Sequence, residues 1–210
     1  NFTLGGKPVR EQIDMNYHGT GGPVSVAPPR SPNPLCPTYF EAAKQAGYKL
    51  NADFNGEDQE GIGYHWLTQK GGERWGAESS YANPARERPN LTIITEARAL
   101  EILMDGKRAT GVKYDRAGEI SEIRAAKEVI LATGAFISPQ LLQLSGIGDP
   151  KELKRHGIEV KQALPGVGQN LQDHIDTWTK QRTKSNLTYG ISWGTMHSNA
   201  MHILKWFTAR

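Results

Sequence analysis

The stretch KEVILATGAFISPQLLQLSGIG, residues 127–148, holds the two signals that decide the fold. Val129-Ile130-Leu131-Ala132 is continuously apolar, as a strand buried on both faces of a parallel sheet must be, and it runs straight into Gly134. From Ser138 the apolar spacing changes: Leu141, Leu142 and Leu144 fall on one side of a helix that stops at Ser145-Gly146. α/β proteins bring backbone to a ligand at such a place, where an apolar strand turns through Ala132-Thr133-Gly134 into a helix and glycine permits close approach. The alternative is a tight turn whose glycine only lets strand and helix pack.

Upstream, Leu91–Thr95, Ala99–Met104, Thr110–Tyr114 and Ile120–Ala125 carry strand patterns. Asp105-Gly106 and Ala117-Gly118 stand between them at hairpin distances, which predicts an antiparallel meander. Downstream, a second helix is expected over Pro150–His156 with Gly157 as its stop, then a strand over Ile158–Leu164 and another over Thr177–Thr183. Toward the start, His18–Pro37 is a Gly- and Pro-rich connector with an extended piece at Pro23–Val26. Pro37–Gly47 predicts a short helix, Asp53–Gly63 a polar loop and Tyr64–Gln69 a strand. A helix over Arg74–Ala85 is also expected, against the breakers Gly76 and Pro84.

Bulk properties remove several classes of function. Lys plus Arg number 25 against 22 Asp plus Glu, spread without the basic tract that nucleic acid attracts. The single cysteine, Cys36, has no Cys or His at metal-ligand spacing, and it points to a reducing compartment such as the cytoplasm. No window approaches the roughly 20 apolar residues of a spanning helix. The first residue is not Met and the chain stops after an apolar amphipathic stretch, so truncation at both ends is expected.

GAFISPQLLQLSGIG, Gly134–Gly148, resembles the second signature of the glucose-methanol-choline oxidoreductases at its Gly, Ser-Pro, Leu-Leu and Ser-Gly-Ile-Gly positions. Family-like phrases surround it in order: YHGTGGPVSV from Tyr17, DFNGEDQEGIGYHWLTQKGGER from Asp53, RPNLTIIT from Arg88, KEVILATGA from Lys127 and LPGVGQNLQDH from Leu164. Within the family the chain looks most similar to the choline dehydrogenase-like branch. The resemblance implies a mixed α/β fold: part of an FAD-binding, Rossmann-like domain with an antiparallel meander, plus part of an antiparallel-sheet substrate domain. It divides the chain into a linker and substrate-domain portion over 1–67, an FAD-domain portion over 68–174, and a further substrate-domain portion over 175–210.

The implied cofactor is FAD, with Ala99 contacting the adenine through its backbone and Thr133 and Gly134 near the ribose and phosphates. An ordinary strand residue at Ala99 is the plainer alternative. The implied partners are a small-molecule alcohol and an electron acceptor. Asp176 matches the place where the choline-oxidising branch carries a carboxylate for the quaternary ammonium, although Asp is one methylene shorter than the usual Glu; a solvent-facing strand Asp is the alternative.

Much of the chemistry is absent from these residues. No G-x-G-x-x-G is present: Gly61-Ile62-Gly63, Gly146-Ile147-Gly148 and Gly166-Val167-Gly168 each fail at the third glycine. In the family that turn lies upstream of the part seen here, and the catalytic His with its partner lies downstream, so no catalytic residue is expected in this chain. The 210 residues alone should not turn over, and should bind FAD weakly or not at all. His174, after Asp173, is expected to organise a domain junction, and His197 with His202 is poorly spaced for one metal. Two rivals remain: an FAD-containing hydroxynitrile lyase of the same family, and a non-catalytic binding module. A serine hydrolase is disfavoured, since Ser145 lacks the G-x-S-x-G context.

Overall fold

A computed structural model of the chain describes residues 3–180, 182, 187 and 193–208. It is a mixed α/β structure whose contacts divide into two compact units, Asn1–Leu91 with Thr179–Arg210, and Thr92–Trp178.

In the first unit, β1 (Thr3–Leu4) and β2 (Lys7–Pro8) form a hairpin turned by Gly5 and Gly6. Leu4 and Val9 are buried with Phe40 and Ala52, and Tyr64 and Trp66 pack against that cluster. Phe40 comes from α1 (Cys36–Gln45), which takes Pro37 in its first turn and stops at Gly47, φ +88°. Its aromatic ring meets Tyr64 edge to face at 4.6 Å. β3 (Val26–Ala27), β4 (Leu67–Lys70) and β5 (Glu73–Arg74) make a small antiparallel sheet. Arg74 is spent in β5, so the helix expected over Arg74–Ala85 is confined to a π-helical turn at Glu78–Ala82 and α2 (Asn83–Ala85).

The second unit is built on the expected meander of β6 (Ala97–Asp105), β7 (Arg108–Arg116) and β8 (Glu119–Arg124). The β7–β8 turn is Ala117-Gly118, with φ +55° and +88°, the pair of left-handed residues that matches strand twist. Asp115 Oδ1 accepts the Gly118 N–H at 2.8 Å and holds it closed. β6 is an edge strand, and α3 (Gly134–Leu144) packs on it. β9 (Ile147–Gly148) follows, then α4 (Pro150–Arg155), capped by the Asp149 carboxylate on the Lys151 N–H, then β10 (Gln162–Ala163) parallel to β9. α5 (Trp193–Thr208) belongs to the first unit.

Five further expectations need correction. Glu128–Ala132 forms no ladder, and Ile130 is 79% exposed. An apolar run becomes a strand only when a neighbouring strand accepts its N–H groups, and none among the described residues does. Leu91–Thr95 likewise lacks a partner and is irregular. Only Gln162–Ala163 of the Ile158–Leu164 run is paired, because β9 offers just two residues. Of the strand expected over Thr177–Thr183, Thr177–Lys180 has no regular structure, while Gln181 and Thr183 lie outside the described residues. Conversely, α3 starts at Gly134, four residues before Ser138, carrying Pro139 within it.

Candidate cofactor-binding site

The turn at Thr133-Gly134 starts α3 without a side-chain cap, so the first backbone N–H groups of the helix are left without a capping side chain among the described residues. Gly134 has φ +91°, a conformation that L side chains rarely adopt, and a Cβ placed there would meet nothing within 4 Å. Packing inside the chain therefore does not require the glycine; its left-handed conformation does. Thr133 is exposed, and its hydroxyl lies 3.1 Å from that of Ser138. Beside the first turns of α3 a cleft of about 400 Å³ is lined by Phe136, Pro139 and Gln143 and by the Gly168–Gln172 segment. Asn170 in that segment is left-handed, φ +57°.

Ala99 lies on β6, half-buried and opposite Tyr114, where the register to β7 shifts between Ala99 and Glu101. Such an irregularity releases backbone from the ladder and re-aims it. Glu96, at φ +56°, leads into the strand. Ala99 shares one unit with Thr133 and Gly134, and the tie between their elements is made by Ser145 at the far end of α3. Asp176 is exposed in an irregular segment beside Ile175, which is 97% exposed, and no aromatic enclosure surrounds it among the described residues. His174 is exposed as well, its N–H donated to Asp173 Oδ1 at 2.8 Å.

Spacing gave no hint of one pairing. His18 Nε2 meets Asp53 Oδ2 at 2.6 Å, with the Asp53 side chain buried and the imidazole stacked on Trp66. Asp53 Oδ1 also accepts the Asn55 N–H, and Trp66 donates to Ala52 O at 3.2 Å. The histidine thus compensates a buried carboxylate and anchors the start of the Gly-rich connector. Near it, burial pushes the Tyr64 phenol above the ordinary tyrosine range, helped by Cys36. On the surface, a hydrogen bond from Lys49 holds the Asp58 carboxyl below its usual value.

Comparison with known proteins places this geometry. The GMC oxidoreductase family model matches residues 7–176. The chain is 41% identical over 179 residues to the alcohol dehydrogenase [acceptor] of Pseudomonas putida, covering 84% of this chain and 32% of that protein. It is 46% identical to the oxygen-dependent choline dehydrogenase of Chromohalobacter salexigens and 45% to human mitochondrial choline dehydrogenase, each covering 82% of the chain and 31% and 29% of those proteins. Among solved structures, an FAD-dependent oxidoreductase from Chaetomium thermophilum superposes with TM-score 0.68 at 30% identity, covering 73% of this chain and 27% of that one. Pyridoxine 4-oxidase from Mesorbium loti gives 0.64 at 28%, covering 70% and 29%. The chain spans about a third of the length of the curated relatives it matches. With its meander, its Gly134 turn and its signature residues all within the matched span, the chain belongs to the GMC oxidoreductase family.

Proposed function

We propose that the protein carrying this chain oxidises a primary alcohol, choline-like or other, and that residues 1–210 supply part of its FAD-binding surface rather than its reacting centre. FAD is the cofactor of the family, and when bound it would accept the hydride. The single observation that carries the assignment is the open, uncapped start of α3 behind a left-handed Gly134. Backbone N–H groups at such a terminus suit the phosphates of a dinucleotide, and the missing Cβ lets them approach. Thr133 and Gly134 would hold the ribose and phosphate end, and the backbone of Ala99, beside the register shift at Leu100, the adenine.

In this arrangement residues 68–174 serve the FAD domain, while 1–67 and 175–210 serve the substrate domain. The electron acceptor is small or protein-borne, and the proposed compartment is the cytoplasm, where Cys36 stays a thiol. No helix among the described residues is long and apolar enough to cross a membrane.

Gly134→Ala in the complete gene product is expected to weaken FAD binding by about tenfold or more, through both φ strain and lost approach. Flavin fluorescence titration of the apoprotein reads this, and an unchanged dissociation constant would remove Gly134 from the site.

Asp176 is proposed to face the cationic end of the substrate. Asp176→Ala should raise KM for a quaternary-ammonium alcohol severalfold while leaving that for a neutral alcohol of similar size alone. Equal effects on the two substrates would refute the role.

A further inference from the structure

We infer that Ser145 is a positioning residue for the cofactor: its buried hydroxyl fixes how the strand carrying Ala99 lies against the helix that begins at Gly134. This rests on the proposal above that both elements touch FAD.

Ser145 is 1% exposed. Its Oγ donates to Leu141 O at 2.6 Å and accepts the Ile102 N–H at 2.8 Å. The hydroxyl therefore binds α3 through its proton and β6 through a lone pair, at a point where both elements are buried. Ile102 is itself a buried residue in the middle of the edge strand, so removing Oγ would leave an N–H without water or a ladder partner.

The position of this contact along β6 gives it a consequence for the ligand. Two register shifts bracket Ile102, one between Ala99 and Glu101 and one between Leu103 and Met104. The strand leaves regular pairing with β7 on both sides of the residue that Ser145 grips. The direction in which Ala99 presents its backbone is thus set by the irregularity next to the grip, and not by the ladder alone. The same turn gathers further ties: Gly146 O accepts the Lys161 and Gln162 N–H groups at 2.9 and 3.1 Å, and Lys161 Nζ pairs with Glu101 Oε1 at 2.6 Å. Strand and helix meet at this hydroxyl, and the returning chain is tied at the next residue. Backbone hydrogen bonds to a nucleotide lose strength steeply with angle, so a small rotation of β6 would act on affinity before it acts on folding.

The test compares FAD dissociation constants and melting temperatures of the complete gene product carrying Ser145→Ala, Ser145→Thr, Leu153→Ala or Gly134→Ala. Leu153 is buried in α4 and has no place in the proposed site, so it reports plain destabilisation. Ser145→Ala is expected to weaken FAD binding about tenfold or more, and Ser145→Thr, which keeps the hydroxyl, to restore most of it. Leu153→Ala should lower the melting temperature at least as much while changing affinity by no more than about threefold. If Ser145→Ala fails to fold, Ser145→Cys, whose sulfur is a weak donor and acceptor, is judged by the same criteria. Equal affinity losses in the serine and Leu153 variants at equal destabilisation, or no loss in the serine variant, overturn the inference. A Gly134→Ala effect without a Ser145→Ala effect condemns Ser145 alone; no Gly134→Ala effect condemns the FAD assignment, and the positioning role with it.

Discussion

Gly146→Ala is expected to lower unfolding stability by about 2–5 kcal/mol, more than any surface substitution in this chain. Two independent penalties coincide. Gly146 has φ +84°, which costs an L residue roughly 1–2 kcal/mol. A Cβ there would also stand 2.5 Å from Glu159 O and 2.9 Å from the Lys161 side chain. The lysine stem can swing away, but the carbonyl belongs to backbone whose neighbours are tied to Gly146 O, so relief must come from moving the chain. Urea denaturation of the complete gene product, followed by tryptophan fluorescence, measures the effect. A loss below about 1 kcal/mol would mean that the Ser145–Gly146 turn is not packed as described.

Leu153→Ala should cost about 2–5 kcal/mol for a different reason. Leu153 is 1% exposed and is the largest side chain so fully buried among the described residues. It lies on α4 beneath Gly148, where a Cβ would stand 3.6 Å from its Cδ2, and its carbonyl accepts the Ile158 N–H. Truncation leaves a cavity that two short elements, β9 and β10, are poorly placed to fill by collapse. Leu153→Met keeps the volume and should cost less than about 1.5 kcal/mol. Equal midpoints for the two variants in denaturant would show that the site is not close-packed.

The elements read correctly from sequence are those whose cause is local. The meander follows from two hairpin turns, each a glycine and a neighbour between alternating runs. α1 and α4 follow from Pro near their starts and Gly47 and Gly157 past their ends. Glu128–Ala132 shows where local reasoning stops: its apolar run states a preference for burial, while strand formation depends on a neighbour that no described residue provides. α3 begins four residues before the Leu141–Leu144 spacing predicts, because the chain enters it through the left-handed turn at Gly134 and carries Pro139 inside it.

The site divides along the same line. A turn at Thr133-Gly134 is legible because an apolar run, a glycine and a helix are contiguous, while its contact with FAD is a proposal. Ser145 was legible as a signature residue, but not its hold on Ile102, 43 positions away. The His18–Asp53 pair, separated by 35 residues, left no trace in spacing at all.

The run around Ile130, which pairs with no strand among the described residues, has a practical consequence. Greasy backbone with idle donors and acceptors is a template for stacking further chains, as in early amyloid assembly. A preparation restricted to these residues would therefore gain turbidity with rising concentration, and its handling would call for dilution or a charged fusion tag.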